Sequence, residues 1–227
     1  MDNLIRKLVY YLAILGTLYH IYLVIHPYTP FSGLHLSILD LTQVQRATHV
    51  FLVALLGYLI SYTRLKNREF TGGLILAMLT ALILFEFVKL DIPVSLKAFA
   101  VVIWAVTMLP PLIPPVQKFS NIACSILCFL PFIYLVVNYD KLIYRAIIPE
   151  PWDLLMAFSE MLLVLGVIFR MSGPIMPIFV VFFFLYNIFG NRIPGVFASP
   201  GFDLDMLLGK MYCETEAGIS EPSPASP

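Results

Sequence analysis

The chain has 227 residues, of which 60% are hydrophobic and 12% charged. Soluble domains carry roughly 45–50% apolar and about 25% charged residues, so a water-soluble fold of this size could not hide so much apolar surface, and the solvent for most of it is expected to be lipid. Lys and Arg (14) balance Asp and Glu (14), which argues against nucleic acid as a partner, and Cys124, Cys128 and Cys213 fit neither a metal-ligand spacing nor a disulfide framework.

A bilayer core of about 30 Å needs about 20 residues of helix, and the apolar runs are read against that length. The first is Leu8–Ile25. Arg6 and Lys7 precede it as in a signal peptide, but the run is long enough to span and no A-x-A-like site follows, so a retained helix is expected. The second run is Ala47–Tyr62, headed by the polar string Gln43-Val44-Gln45-Arg46. The third, Gly72–Val88, and the fourth, Val94–Leu109, are joined by the short link Lys89-Leu90-Asp91-Ile92-Pro93. Pro110, Pro111, Pro114 and Pro115 stop the fourth, because each removes a backbone donor and clashes with the preceding turn. The fifth run, Asn121–Val137, carries Cys124 and Cys128 four apart on one face, as small apolar packing residues do. The stretch Asn138–Asp153 is long and mixed in charge and marks an internal boundary. The sixth, Leu154–Phe169, and the seventh, Ile175–Gly190, are joined by Arg170-Met171-Ser172-Gly173-Pro174.

Beyond a turn at Asn191-Arg192-Ile193-Pro194-Gly195, the segment Phe202–Tyr212 places Leu204, Leu207, Leu208 and Met211 on one helical face. It is too short to span and is expected to lie in the interface. The tail Glu221–Pro227 is polar and proline-rich, a composition that stays disordered. The runs are continuous rather than alternating, so helices, not a barrel, must satisfy the backbone in lipid. The expectation is an all-α membrane protein: a polytopic bundle of about seven transmembrane helices, a short interfacial arm helix and a disordered tail. Tyr28, Phe31, Tyr139, Tyr144 and Trp152 suit the headgroup level, and the Arg6–Lys7 and Arg64–Lys66–Arg68 groups, with Lys118 and Arg170, fall on one side, which places the N-terminus in the cytoplasm. Lys141, Arg145 and Arg192 fall on the other.

Charged groups within lipid are costly and often functional. Glu160 lies inside the sixth run. It is either an ion or proton site, or a carboxyl that hydrogen-bonds a neighbouring helix or stays protonated through desolvation. Glu86 and Lys89 are within i,i+3 reach, which favours a structural pair. His49 heads the second helix three residues after Arg46 and reads as a packing or capping residue, while the polar string Gln43-Val44-Gln45-Arg46 just before it is the part that would face a partner or headgroups. Asn187, beside Tyr186 in the seventh helix, is expected to hydrogen-bond a neighbouring helix, with a binding role as the alternative. No G-x-S-x-G, H-E-x-x-H or phosphate loop occurs, and no nucleophile has a visible base. No enzyme activity, catalytic residue, metal or cofactor is expected.

Several stretches carry a resemblance. They are Gln45-Arg46-Ala47-Thr48-His49-Val50, Tyr134-Leu135-Val136-Val137-Asn138-Tyr139-Asp140, Pro151-Trp152-Asp153 and Arg170-Met171-Ser172-Gly173-Pro174. Next come Tyr186-Asn187-Ile188-Phe189-Gly190, Ile193-Pro194-Gly195 and the arm ending Met211-Tyr212-Cys213-Glu214-Thr215-Glu216. In order and spacing the chain resembles the N-terminal part of fused membrane permeases of tripartite ATP-independent periplasmic (TRAP) transporters. The resemblance implies a small-subunit-like region at 1–137, a connecting loop at 138–153, the start of the large subunit at 154–216 and an aberrant tail at 217–227. It implies a bacterial or archaeal inner membrane, uptake of organic acids, a periplasmic substrate-binding protein and the remainder of the permease as partners. Sodium coupling would belong to the full-length parent alone. Where such permeases continue into a re-entrant hairpin, this chain reads Thr215-Glu216-Ala217-Gly218-Ile219-Ser220 and then the proline-rich tail, and a Glu expected before the Arg at the end of the sixth helix is Gly166. A truncated scaffold that does not transport alone is the resulting expectation, and its substrate-binding residues are expected in the missing part. A free-standing membrane assembly protein, complete as it stands, is the alternative.

Overall fold

The computed structural model describes residues 2–25, 42–63, 70–110, 113–145 and 148–213. All regular structure among them is helical: α1 (Asp2–Ile25), α2 (Thr42–Thr63), α3 (Phe70–Lys89), α4 (Val94–Met108), α5 (Pro114–Leu127), α6 (Phe129–Leu142), α7 (Pro151–Ser172), α8 (Ile175–Phe189) and α9 (Leu204–Cys213). Six segments are long and apolar enough to cross a membrane, with α5 and α6 forming one span, Val116–Leu142. This is an all-α, multi-pass membrane protein, and lipid surrounds its apolar helices. The fourth apolar run is a helix of 15 residues, about 22 Å long against a core of about 30 Å. Tyr28, Phe31, the Arg64–Lys66–Arg68 group and the tail from Glu214 lie outside the described residues.

Prolines explain several boundaries. Pro114 is the first residue of α5 and Pro115 the second. A missing N–H is harmless in the first turn and the fixed φ is helical, so these two start the fifth helix rather than only stopping the fourth. Pro131 cannot donate to the carbonyl of Leu127, four residues earlier. The helical ladder is interrupted there, although Cys128 keeps helical angles (φ −59, ψ −25). Helix α6 runs on to Leu142 and a 3-10 turn covers Ile143–Arg145, so much of the stretch read as a connecting loop is helix. Helix α7 opens on a capping box: Glu150 and Asp153 each accept from the other's backbone N–H, which satisfies two donors that every helix start leaves free.

Helix α7 is the axis of the bundle. It packs against α2, α4, α6, α8 and α9, whereas α1 packs on α2. Phe87 of α3 stacks on Phe158 of α7 with centroids 4.5 Å apart, and Trp104 of α4 donates to Thr80 of α3 at 3.0 Å. Gly173, at φ +96, turns the chain between α7 and α8, a backbone region open to glycine without strain. Pro174 in that turn presses on Gly72, where a Cβ would come within 2.6 Å of the proline ring. This contact sets the start of α3 beside the end of α7. Helix α9 lies back on α7 and buries Leu204, Leu208, Tyr212 and Cys213, while Met211 is exposed. Its buried stripe is therefore rotated from the expected one, toward protein rather than lipid alone.

Candidate functional site

The largest polar knot sits where α2, α4, α5 and α7 meet, around Arg170. Its local cause is the pair Pro110–Pro111. Neither has an N–H, so the carbonyls of Val106 and Thr107, four residues earlier, lose their helical donors. Unpaired carbonyls in lipid cost several kcal/mol each, on the order of 2–7. Arg170 Nη2 donates to Thr107 O at 3.0 Å, and Ser120 Oγ donates to Val106 O at 2.8 Å. Arg170 also donates from Nε to Asn121 Oδ1 (2.8 Å), from Nη1 to Gly166 O (3.0 Å) and from Nη2 to Ser120 Oγ (2.9 Å). The guanidinium carbon lies 5.0 Å from the Tyr58 ring centroid, and the side chain is 1% exposed. Arginine suits this place because its five donors form a rigid fork. Tyr58 itself donates to Leu163 O at 2.8 Å.

Gly166 makes the knot possible. A Cβ there would lie 2.5 Å from Tyr58 Oη, 2.6 Å from Thr107 Cγ2 and 2.9 Å from Arg170 Nη1. The site is filled, so it can lock helices together but cannot admit a ligand. Asn121 Nδ2, buried beside it, meets no partner among the described residues.

Glu160 occupies a different environment, midway along α7. It lines a small cavity of about 20 Å³ with Ala47, Val50, Phe51, Ala54, Cys128, Pro131, Phe132, Leu135, Leu163 and Val164. Cys124 and Cys128 are buried with Ala54, Tyr58, Leu163 and Val167, as apolar packing residues. A charge at the centre of a bilayer costs about 2.5–3.5 kcal/mol on insertion scales, a cost the carboxyl avoids only by staying neutral.

At the other end of α7, Asp153 is fully buried. It accepts from Tyr134 Oη at 2.6 Å and from the Glu150 N–H at 2.8 Å. Arg145 stands 3.7 Å from Asp153 and 2.6 Å from Glu150. Tyr212 of α9 donates to Pro131 O, and Gln43 Nε2 of α2 donates to Tyr212 O at 2.9 Å. Burial, with the Asp153 charge adding to it, pushes the Cys213 thiol up to about 12. Burial likewise holds the Tyr212 phenol well above its ordinary range.

The remaining candidates stay apart. Lys89 and Glu86 pair at 2.7 Å, the structural pair their spacing implies. His49 is not solitary: its Nδ1 lies 2.8 Å from His20 Nε2 of α1. His20 Nδ1 lies 2.6 Å from Gly16 O, so His20 donates there and turns its Nε2 toward His49. Both histidines line an apolar groove of about 600 Å³ between α1 and α2. Asn187 Nδ2 donates to Phe183 O of its own helix at 2.9 Å rather than to a neighbour, and the Asn187 backbone carbonyl accepts from the Phe202 N–H.

The residue that sequence reasoning undervalued is Arg170, counted among the loop cations. The signal that could have found it is Pro110–Pro111, since two proline-freed carbonyls inside a membrane need donors from elsewhere. No family model, curated protein or solved structure matches the chain.

Proposed function

We propose that the chain is the N-terminal scaffold portion of a TRAP-type permease for organic acid uptake, set in a bacterial or archaeal cytoplasmic membrane with its N-terminus inside. The observation that carries this reading is the order of the resembling residues along α7–α9. Pro151-Trp152-Asp153 opens α7, Arg170–Pro174 closes it and turns into α8, and Tyr186–Gly190 closes α8. The arm helix α9 then lies back on α7. In this reading the bundle anchors and orients, and contributes no substrate path. Secondary transporters bind substrate and ion at facing discontinuous helices, and no such facing pair occurs among the described residues.

The test has two arms. In proteoliposomes the isolated chain should show no sodium-driven carboxylate uptake, and robust uptake would refute the scaffold role. From its source membrane, the tagged chain should co-purify with a carboxylate-binding periplasmic protein or a further permease segment. A homogeneous product with neither would favour a free-standing assembly protein.

A further inference from the structure

Glu160 is the tenth residue of α7, which spans Pro151–Ser172. At 1.5 Å per residue it lies about 14 Å from one end of the helix and about 18 Å from the other, close to the membrane midplane. No charged group or hydrogen-bond donor among the described residues compensates its carboxyl. The cavity beside it, about 20 Å³, exceeds the roughly 10–15 Å³ needed to admit one water. Cys128 and Pro131 form part of its wall, and these two residues bracket the interrupted ladder, where Leu127 has lost the N–H that would bond its carbonyl. Non-helical backbone hydrogen bonding at membrane depth is tolerated where it lines a wet cavity.

From this juxtaposition we propose that Glu160 is a reversible proton-binding site at mid-membrane, served by a single water in the cavity between α2, α6 and α7. The choice of a proton over a metal cation follows from the wall. A hard cation needs several oxygen ligands, whereas the other side chains here are Ala, Val, Phe, Leu, Cys and Pro. Titratable groups around the site are few. The α5–α6 junction brings Cys128 and α9 brings Tyr212, both electrostatically coupled to Glu160. Helix α2 presents Ala47, Val50, Phe51 and Ala54, and α4 and α8 contribute nothing to the wall. Phe51, stacked on Phe132 at 4.5 Å between centroids, packs α2 against α6 at this point. The neutral carboxyl needs no more than that one water and leaves the packing intact. The ionised one draws water between the helices, so proton release loosens the α2–α6–α7 contact.

Infrared spectroscopy of the full chain in lipid tests it. The wild-type minus Glu160→Gln difference isolates this carboxyl from the others. The expected result is one protonated-carboxyl band that fades at least tenfold as pH rises across the range where circular dichroism shows a folded bundle. The titration should be unchanged when choline chloride replaces sodium chloride. Glu160→Asp should retain a titrating band at a shifted position, which guards against failure of the Gln variant to fold. A carboxyl permanently protonated or permanently ionised over that range overturns the proposal, and a sodium-dependent shift overturns the assignment to a proton.

Discussion

Helices α1 and α7 are near twins by composition and near opposites in place. Both are long and apolar enough to span, yet the spanning window of α1 is 6% buried in the structure and that of α7 is 78% buried. The difference lies in what interrupts the apolar sequence. Helix α7 carries Asp153, Ser159, Glu160, Gly166 and Arg170, and all but Glu160 are fully buried. Helix α1 is polar within its span mainly at Thr17 and His20, and Thr17 bonds its own backbone at 2.8 Å. In lipid, apolar side chains gain little by leaving one greasy neighbour for another. Polar groups and small residues therefore decide which helix goes to the centre. Hydropathy selects what crosses the membrane, and the few polar positions select what is surrounded.

The sharpest way to break this contrast is Arg170→Ala. It would leave Thr107 O, Asn121 and Ser120 without their donor inside the protein, for an expected loss of about 2–4 kcal/mol. Thermal unfolding in micelles should show the largest fall in Tm of any single change here, while Leu15→Ala on α1 should leave Tm nearly unmoved. Gly166→Ala comes next. Its methyl would collide with Tyr58, Thr107 and Arg170, and overpacking of this kind costs about 1–3 kcal/mol. The same measurement checks it, and an unchanged Tm would mean that the knot has slack.

A smaller effect is expected at the arm. Tyr212→Phe removes the bond to Pro131 O, worth about 1 kcal/mol. Loosening α9 should also expose Cys213. With its thiol held up to about 12 by burial, Cys213 should react slowly with maleimide at mildly alkaline pH in the wild type and faster in the variant. The unfolded thiol ionises near its ordinary value of about 8.5, so the contribution of Cys213 to stability is full below that and declines as pH rises toward about 12. Alkaline unfolding curves of wild type and Cys213→Ser check this, with the difference growing only above the lower limit. The smallest change is expected for His49→Leu. It severs the bond to His20 and should loosen α1 from α2, read as weaker cross-linking between cysteines placed in those helices, with no shift in bundle Tm.

The apolar runs were legible because length and hydropathy suffice to mark spans: six became segments long enough to cross, the fifth divided between α5 and α6, and the fourth became a shorter apolar helix. What could not be read was lateral order. Pro114 and Pro115 signalled a stop, yet a proline also opens a helix. Asn138–Leu142 looked like loop because Asn138, Asp140 and Lys141 are polar, although a helix leaving the bilayer carries such residues on its exposed end. The partner of His49 depends on α1 lying beside α2, which no local pattern encodes. The Glu86–Lys89 pair needed only i,i+3 geometry and was visible from the start. Arg170 sat at the end of a run, where a loop cation and a buried clasp look alike until the carbonyls it serves are counted.

The central claim is that α7 is sheathed by protein and α1 by lipid. Spin labels placed one at a time along each helix in bilayers, with relaxation by dissolved oxygen as the readout, address it directly. High oxygen accessibility over most of the circumference of α1, and low values on every face of α7 through the membrane core, are the predicted result. A lipid-facing stripe on α7 as strong as that on α1 would contradict the account.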